Sequence, residues 1–474
     1  MSEIMLILGI TSFILVVLAL ITALSDERSK IRSLYTVSVG ILSLLLLLAF
    51  MFYITWTSTT IDIPFKQDLD LVIACDKISF IVGLNVIIIG IITLLSSYRY
   101  MEIYGERKGY VPYYLATLGF IYSMVMLVIA RTWLWFLFFL EIMTLSSYFL
   151  IGYEYYERDV ARIAWNYFVI MHVLCTIPLI ISVAFIYTVT GTFTFGARIS
   201  HMNTLIALLS LLGFATKSGL FPIHFWLPDA HPVAPSPISA LLSGAMVEIG
   251  VYGMYRVVEQ LGSLDPMVAN IIIVMAVLST MVGVLSYVRQ RDVKRLFAWS
   301  TIDNMGWMYI IIAFTGVAGG PLLASYILNH GLAKAAAFIS SGVLLYTLGT
   351  KNLDELKGTY RAYRLEIGLL VLSMFALEGT PPFNFFWSKF GVVRVVLENN
   401  VVLGIVYALA WCIAFVIFLY IIHELISSSH DVKKTISRVR ECPLSLAFSV
   451  AILLALLLIS QILCEFLYRV LTYG

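Results

Sequence analysis

Long apolar runs follow one another along almost the whole chain, each about the length a helix needs to cross a bilayer, with short polar connections between them. About fourteen runs meet a threshold of roughly 20 residues per crossing. They span 4–24, 33–56, 78–98, 111–130, 133–152, 161–189, 203–226, 237–257, 267–288, 296–315, 320–347, 366–396, 401–426 and 443–468. The first, Ile4 to Leu24, is too long for the apolar part of a signal peptide and lacks a basic flank, so it reads as a retained span. No connection is long enough for a soluble domain. The expected architecture is therefore an all-α polytopic membrane protein, with residues 1–474 as a single integral domain.

Composition agrees: 61% of residues are hydrophobic and 12% charged, a balance that excludes a soluble domain. A net charge of +2 gives no nucleic-acid signal. Basic residues collect in alternate connections, among them Arg28, Lys30, Arg32, Arg99, Arg107, Lys108, Arg158, Arg162, Arg289, Arg291, Lys294, Arg295, Lys351, Lys357, Arg361, Arg364, Lys433, Lys434, Arg438 and Arg440. The opposite side holds chiefly Lys66, Lys77, Arg131 and Arg198. Positive charge favours the cytoplasm, so both termini are expected outside. Cys75, Cys175, Cys412, Cys442 and Cys464 are scattered, with no CxxC pair to suggest a metal or cluster site. Nucleotide-binding glycine motifs are also lacking.

Two runs break their own helices. In GFATKSGLFPIHFWLPDAHPVAPSPISALLSG, Pro222, Pro228, Pro232, Pro235 and Pro237 remove backbone donors, and in EGTPPFNFFWSKF, Pro381 and Pro382 do so. Irregular backbone at membrane depth is tolerated where protein or a wet cavity shields it. Each break carries a lysine, Lys217 and Lys389. Interrupted helices about five spans apart would lie in opposite orientations, which is a sequence pointer to a transport site.

Ionisable residues at membrane depth are functional-site candidates. Glu141, half-way through its span, is the expected partner of Lys217. A lysine suits such a pair because it can lose its proton on desolvation, whereas arginine keeps its own. His231 follows the first break and can relay protons. Asp229 reads as a cap for the next helical piece, and His224 as an interface or relay residue. Glu248 sits in mid-span with no partner nearby in sequence. His330 and Lys334 are four residues apart and share a helix face. Glu378 and Lys389 flank the second break. A packing role is expected for His172, and Asp292, Lys294 and Arg295 are expected to fix topology. Glu141, Lys217, His231, Glu248, His330, Lys334 and Lys389 together outline a polar file in the plane of the membrane, the pattern expected of proton or cation transfer.

From about residue 110 to 395 the chain resembles the antiporter-like proton-translocating family. That family includes the large membrane subunits of respiratory complex I, Mrp sodium/proton antiporter subunits and the membrane subunits of energy-converting hydrogenases. LEIMTLSSY carries the family glutamate (Glu141), and the first broken helix carries its lysine (Lys217) and a histidine (His231). DVKRLFAWSTIDNMG matches the junction from the cytoplasm into a helix. HGLAKAAAF carries the linking pair His330 and Lys334, and GTPPFNFFWSKF carries Lys389 at the terminal relay position. AHPVAPSPISALLSGAM looks most like the membrane subunit of formate-hydrogenlyase-type and other membrane-bound [NiFe]-hydrogenases.

The resemblance implies about fourteen helices in two inverted five-helix repeats, each with a proline-broken helix. The expected divisions are N-terminal helices in 1–110, repeats at 111–257 and 267–426, and a last helix at 443–470. It implies an ion-translocating subunit of a multisubunit redox complex in a prokaryotic plasma membrane, moving H⁺, Na⁺ or both. Other membrane and peripheral subunits would be its partners. No cofactor would be bound by this chain, and Fe–S clusters or a NiFe centre are expected only in those partners. An Mrp-type antiporter subunit is the alternative. An inactive anchoring subunit would have lost the lysines, which are present here, and a bis-histidine haem site would need His172 and His423 to face each other. The chain departs from many relatives at Glu248, where lysine is common, and at Glu378, where a small or apolar residue is. It also shows no long amphipathic helix after the last run, unlike the complex I subunit that carries a lateral arm.

Overall fold

The computed structural model describes residues 30–65, 69–107, 110–199, 201–427 and 440–473, with isolated positions between 11 and 17. The rest of the expected first span, and the basic residues Arg28, Lys66, Lys108, Lys433, Lys434 and Arg438, lie outside the described residues. Apolar surroundings leave the backbone no partner but itself, and the runs accordingly fold as helices. In chain order these are α1 (Lys30–Trp56), α2 (Lys77–Tyr100), α3 (Tyr110–Ile129), α4 (Trp133–Ile151), α5 (Arg158–Thr190) and α6 (Asn203–Ser218). The short α7 (Leu227–Val233) leads into α8 (Ser236–Leu261), α9 (Pro266–Tyr287), α10 (Val293–Thr315) and α11 (Gly320–Leu348). After these come α12 (Arg364–Glu378), α13 (Phe385–Asn399), α14 (Val401–Ser427) and α15 (Leu444–Tyr473).

Among the described residues, 10 helical stretches are long and apolar enough to cross a membrane. One of these, Val293–Leu348, comprises both α10 and α11. The broken pairs α6/α7 and α12/α13 fall outside that set because each piece is short. A feature absent from the apolar pattern is an antiparallel hairpin of β1 (Ile61–Ile63) and β2 (Leu71–Ile73), with Ile61 opposite Ile73.

Local chemistry sets the ends of these elements. Asp76 accepts from the Ser79 N–H (2.9 Å) and Asp292 from the Arg295 N–H (3.0 Å), so each caps a helix whose first donors would otherwise be orphaned. Gly219 and Gly379 end α6 and α12 at φ of 70° and 69°, a backbone that favours glycine. Each is followed three residues later by a proline, Pro222 or Pro382, which prevents the helix from resuming.

Around α11 pack α2, α8, α10, α12, α13 and α15. The most apolar window of α8 is 100% buried and that of α2 is 83%, whereas α14, at 28%, lies on the periphery. Helices α8 and α11 cross almost backbone to backbone. A Cβ on Gly331 would come 2.5 Å from the Gly244 carbonyl oxygen and closer still to Asn85 Oδ1. Small residues allow this approach, which side chains of ordinary size would block. Gly331→Ala is therefore expected to cost about 1–3 kcal/mol by overpacking. The loss should appear as a lower midpoint in thermal melting of the detergent-solubilised protein, and an unchanged midpoint would refute the close crossing.

Candidate functional site

Lys217 lies on the last turn of α6, fully buried, where the helix stops at Gly219. Its Nζ donates to Thr144 Oγ1 on α4 at 2.8 Å. Glu141 stands one turn before Thr144 but turns to a different neighbour. Its Oε2 is 3.0 Å from His172 Nε2, and its Oε1 accepts the Thr176 hydroxyl. The expected direct Glu141–Lys217 contact is thus replaced. A π-helical turn over Met171–Thr176 places His172 and Thr176 against α4, and the carboxylate is taken before it reaches the lysine. Lys217 nevertheless reaches Thr144, one turn along α4 from Glu141, so the two charged groups face the same stretch of that helix. His172, expected only to pack, is part of this group. His423 sits instead beside Ser427 (3.1 Å).

In the middle of the bundle, Glu248 proves to have partners that sequence distance concealed. Its Oε2 accepts from Asn85 Nδ2 at 2.6 Å, and its Oε1 lies 2.7 Å from His330 Nδ1. The close crossing at Gly244 and Gly331 brings α8 and α11 near enough for this pair. Both side chains are fully buried, and among the described residues His330 Nε2 has no hydrogen-bond partner. One turn further along α11, Lys334 Nζ donates to the Phe297 carbonyl (2.9 Å) and to the Ser300 hydroxyl, both on α10. His231 is buried and stacked on Phe338, with ring centroids 4.6 Å apart, and neither ring nitrogen is hydrogen-bonded.

At the second break, Lys389 Nζ is 3.6 Å from Glu378 Oε2 and 3.4 Å from the Glu378 carbonyl, with both side chains 1% exposed. The rings of Phe385, Trp307 and Trp411 surround the ammonium at 5.2, 5.7 and 5.9 Å. Such rings stabilise a cation where water is scarce.

Sequence reading missed Asp303. Its carboxylate is buried in α10, accepting from the Tyr287 hydroxyl (2.8 Å) and from Trp307 Nε1 (3.0 Å). Because Trp307 also faces Lys389, Asp303 and Lys389 share one ring as neighbour. The signal was available, since Asp303 lies more than two turns into an apolar helix, but the basic cluster before it drew the reading toward topology.

That cluster also has partners that its sequence did not reveal. Lys294 is 1% exposed and donates to the Ala234 carbonyl. Lys351 donates to the Pro232 carbonyl at 2.7 Å and pairs with Asp292 at 3.2 Å. These lysines satisfy carbonyls around the proline-rich break, where the regular helix ladder stops. Asp229 contacts Arg295 (3.3 Å) instead of capping, and α7 starts without a side-chain cap.

A second charged group was not foreseen. Arg256, nearly buried, contacts Asp76 (2.7 Å) and Glu259 (2.5 Å), and Arg131 contacts Asp76 (3.0 Å). Burial alone would raise the Asp76 pKa, but the two guanidiniums and the cap hydrogen bond outweigh it and hold the carboxyl well below its usual range. A depressed folded-state pKa gives stability that is complete above the unfolded value near ~4 and is lost as pH falls through the folded value. Asp76→Asn should lower the melting midpoint at pH 7, and the gap to wild type should narrow below about pH 4. A gap independent of pH would show that the carboxylate charge is not what stabilises this end.

Lys217, Glu248, His330, Lys334, Asp303, Glu378 and Lys389 are thus all buried in the helical interior, and most have at least one polar neighbour. Among the described residues, no three His, Cys, Asp or Glu side chains gather as a metal set. The arrangement suits step-by-step transfer of charge, since buried ionisable groups on facing helices can change partner without crossing lipid.

A multi-pass helical membrane protein with a buried file of acids, histidines and lysines is the class defined by this geometry. Residues 130–427 match the family described as NADH:quinone oxidoreductase/Mrp antiporter, TM, and the chain belongs to that family of antiporter-like membrane subunits. Hydrogenase-4 component B of Escherichia coli (strain K12) is 30% identical over 369 residues, 73% of this chain and 54% of the relative. The chain therefore spans about half the length of that protein. A Na(+)/H(+) antiporter subunit of Alkalihalophilus pseudofirmus is 28% identical over 345 residues, 70% of this chain and 68% of the relative. The fold is shared with a chain of the membrane-bound sulfane sulfur reductase, an archaeal respiratory membrane complex, at a TM-score of 0.84 and 22% identity, covering 99% of this chain and 96% of that one. A chain of the Mrp complex from Dietzia sp. DQ12-45-1b also gives 0.84, at 19% identity, covering 98% and 96%.

Proposed function

We propose that this chain is the ion-translocating subunit of a multisubunit energy-converting redox complex in a prokaryotic plasma membrane. Electron transfer in partner subunits, where any Fe–S or NiFe centres would reside, drives it. The observation that carries this reading is the Glu248–His330 pair, fully buried at 2.7 Å, with Lys334 one turn away. A buried acid and histidine next to a buried lysine make a poor structural bargain unless charge moves among them.

In this reading, residues 111–257 and 267–426 are two inverted repeats, each entered at its broken helix. Lys217 senses Glu141 through the field and exchanges with the centre. His330 and Lys334 pass the charge to the Asp303, Glu378 and Lys389 group. His231 lines the step beside Lys334, and both termini lie on the outer side. The transported ion is H⁺, Na⁺ or both.

The test is dye-monitored pumping by the intact complex in inverted vesicles, comparing wild type with Lys217→Ala. Pumping should fall at least about tenfold while the complex still assembles, because the first half loses its mobile charge. Full pumping by the variant would remove Lys217 from the path.

An Mrp-type antiporter subunit is the second reading, favoured by the Alkalihalophilus antiporter relative, whose length the match covers more fully. Ion exchange driven by an imposed gradient, with no electron donor added, would select it.

A further inference from the structure

Resting on the proposed function, one further feature concerns where the ion leaves. In the mostly apolar helix α15, Ser460, Gln461 and Glu465 stand among the polar residues of the second half, with Arg469 and Thr472 nearer its end. The first three continue a hydrogen-bonded chain that starts beside the buried file. Asn329, which precedes His330, donates to Ser388 Oγ at 2.8 Å, and Ser388 precedes Lys389. Ser388 Oγ lies 3.2 Å from Ser325 Oγ, and Ser325 donates to Gln461 Oε1 at 2.9 Å. Gln461 Nε2 in turn donates to Glu465 Oε1 at 3.2 Å, and Glu465 is exposed. Ser460 donates its hydroxyl to the side-chain Oδ1 of Asn329 from the α15 side.

A cavity of about 370 Å³ lies along this chain, lined by Ser325, Ser388, Gln461 and Glu465 among others. The four polar residues share the lining with Pro321, Leu322, Trp387 and Cys464, and the cavity has room for several waters, each of which needs two to four polar partners. Depth follows from helix rise. Ser325 lies about 8 Å and Asn329 about 14 Å along α11 from Gly320, at ~1.5 Å per residue. Lys334 is about 21 Å along the same axis. Gly320 begins α11 and Asn399 ends α13 at the face opposite the basic connections 289–295 and 351–364, so the chain runs from mid-membrane toward the side poor in positive charge.

We propose that this cavity, where α11, α13 and α15 meet, is the outlet through which the Lys389 end of the file exchanges a proton or monovalent cation with water on the outer side. Ser388 and Ser325 form its inner throat. Gln461 orients the throat hydroxyls, and Glu465 is the surface carboxylate that collects or releases the cation. Hydroxyls and ordered waters carry a proton by passing hydrogen bonds along, and the same oxygens can ligate a dehydrated monovalent cation. Asn329 fixes Ser388 between the file and the cavity.

The bland alternative is that these hydrogen bonds merely anchor α15. Two measurements on the intact complex separate the readings. In a chain with its own cysteines replaced by alanine, Ser388→Cys is treated from the outer side with a small cationic methanethiosulfonate reagent. Ser388 lies about 16 Å along α13 from its outer end, and Leu409, exposed on the peripheral helix α14, about 12 Å from the same side. The deeper Ser388→Cys should nonetheless react at least about tenfold faster than Leu409→Cys, because thiol modification by this reagent needs water. A rate no faster than that at Leu409→Cys overturns the outlet.

The second measurement is pumping by Gln461→Leu and Ser325→Ala, each expected to fall about tenfold, the scale of one relay hydrogen bond. Wild-type pumping by both, alongside loss in Lys334→Met, would overturn the outlet and leave the proposed function standing. Labelling at position 388 does not depend on pumping, so it decides the matter if either variant fails to assemble or the complex does not pump.

Discussion

Lys334→Met abolishes ion pumping by the assembled complex, with an expected loss of at least about 100-fold. Methionine keeps nearly the length and the apolar stem of lysine but removes the ammonium that now donates to the Phe297 carbonyl and Ser300. Those two acceptors are themselves bonded within α10's backbone ladder or to other hydroxyl neighbours, so the loss of stability should be modest. The functional loss is large because the proposed relay runs through Lys334 from Glu248–His330 to the Asp303, Glu378 and Lys389 group, and methionine can neither take up nor release a proton. Lys334→Arg makes the test sharper. It preserves positive charge but keeps its proton under all ordinary conditions. A relay requires that this variant also fail, whereas a fixed electrostatic role would let it pump. Pumping in inverted vesicles, normalised to assembled complex on a native gel, gives the answer.

The second large effect falls at Glu248, where two substitutions should diverge. Glu248→Leu strips the partner from His330 Nδ1 in a fully buried site and leaves Asn85 Nδ2 with the Gly244 carbonyl as its remaining acceptor. Breaking one side of such a buried group costs about 3–5 kcal/mol, enough to lower the amount of assembled protein several-fold. Glu248→Gln keeps the size and can still accept from Asn85 and bond to His330, so it should assemble. It cannot take up or release a proton, and pumping should fall between about 10-fold and 100-fold. Assembly and pumping are read in the same preparation. Normal pumping by Glu248→Gln would mean that the pair locks α8 to α11 and carries no charge. Equal assembly of the Leu variant would instead show that the site is wet enough to tolerate an unpaired histidine.

Much of the fold was legible. The run 161–189 became the helix Arg158–Thr190, and 401–426 became Val401–Ser427, because a bilayer leaves helices as the only way to satisfy the backbone of a long apolar segment. The breaks fell where glycine and proline dictated, at Gly219 and Gly379. Candidate residues were legible as well, since an ionisable side chain in an apolar run stands out. Their partners were not. Glu141 was assigned to Lys217 on chemical complementarity, yet a π-helical turn around His172 gave it a nearer neighbour. Glu248 looked solitary because His330 and Asn85 are 82 and 163 residues away in sequence. Asp303 was overlooked because its helix begins in a basic cluster, and Lys294 was read only as a topology signal, although it is buried against a carbonyl of a distant break.

This division has a cause in the range of the forces. Hydrophobicity, proline, glycine and the sidedness of positive charge act within one segment or its flanks. The order of residues was therefore enough to dictate that the chain crosses the membrane many times, where two of its helices break and which ionisable groups enter the apolar layer. Which helices touch, and how closely, depends on packing among segments far apart along the chain. Only the folded bundle could settle that Gly244 meets Gly331, that Glu248 consequently reaches His330, that Asp303 and Lys389 share the Trp307 ring, and that Ser325 reaches Gln461 on α15.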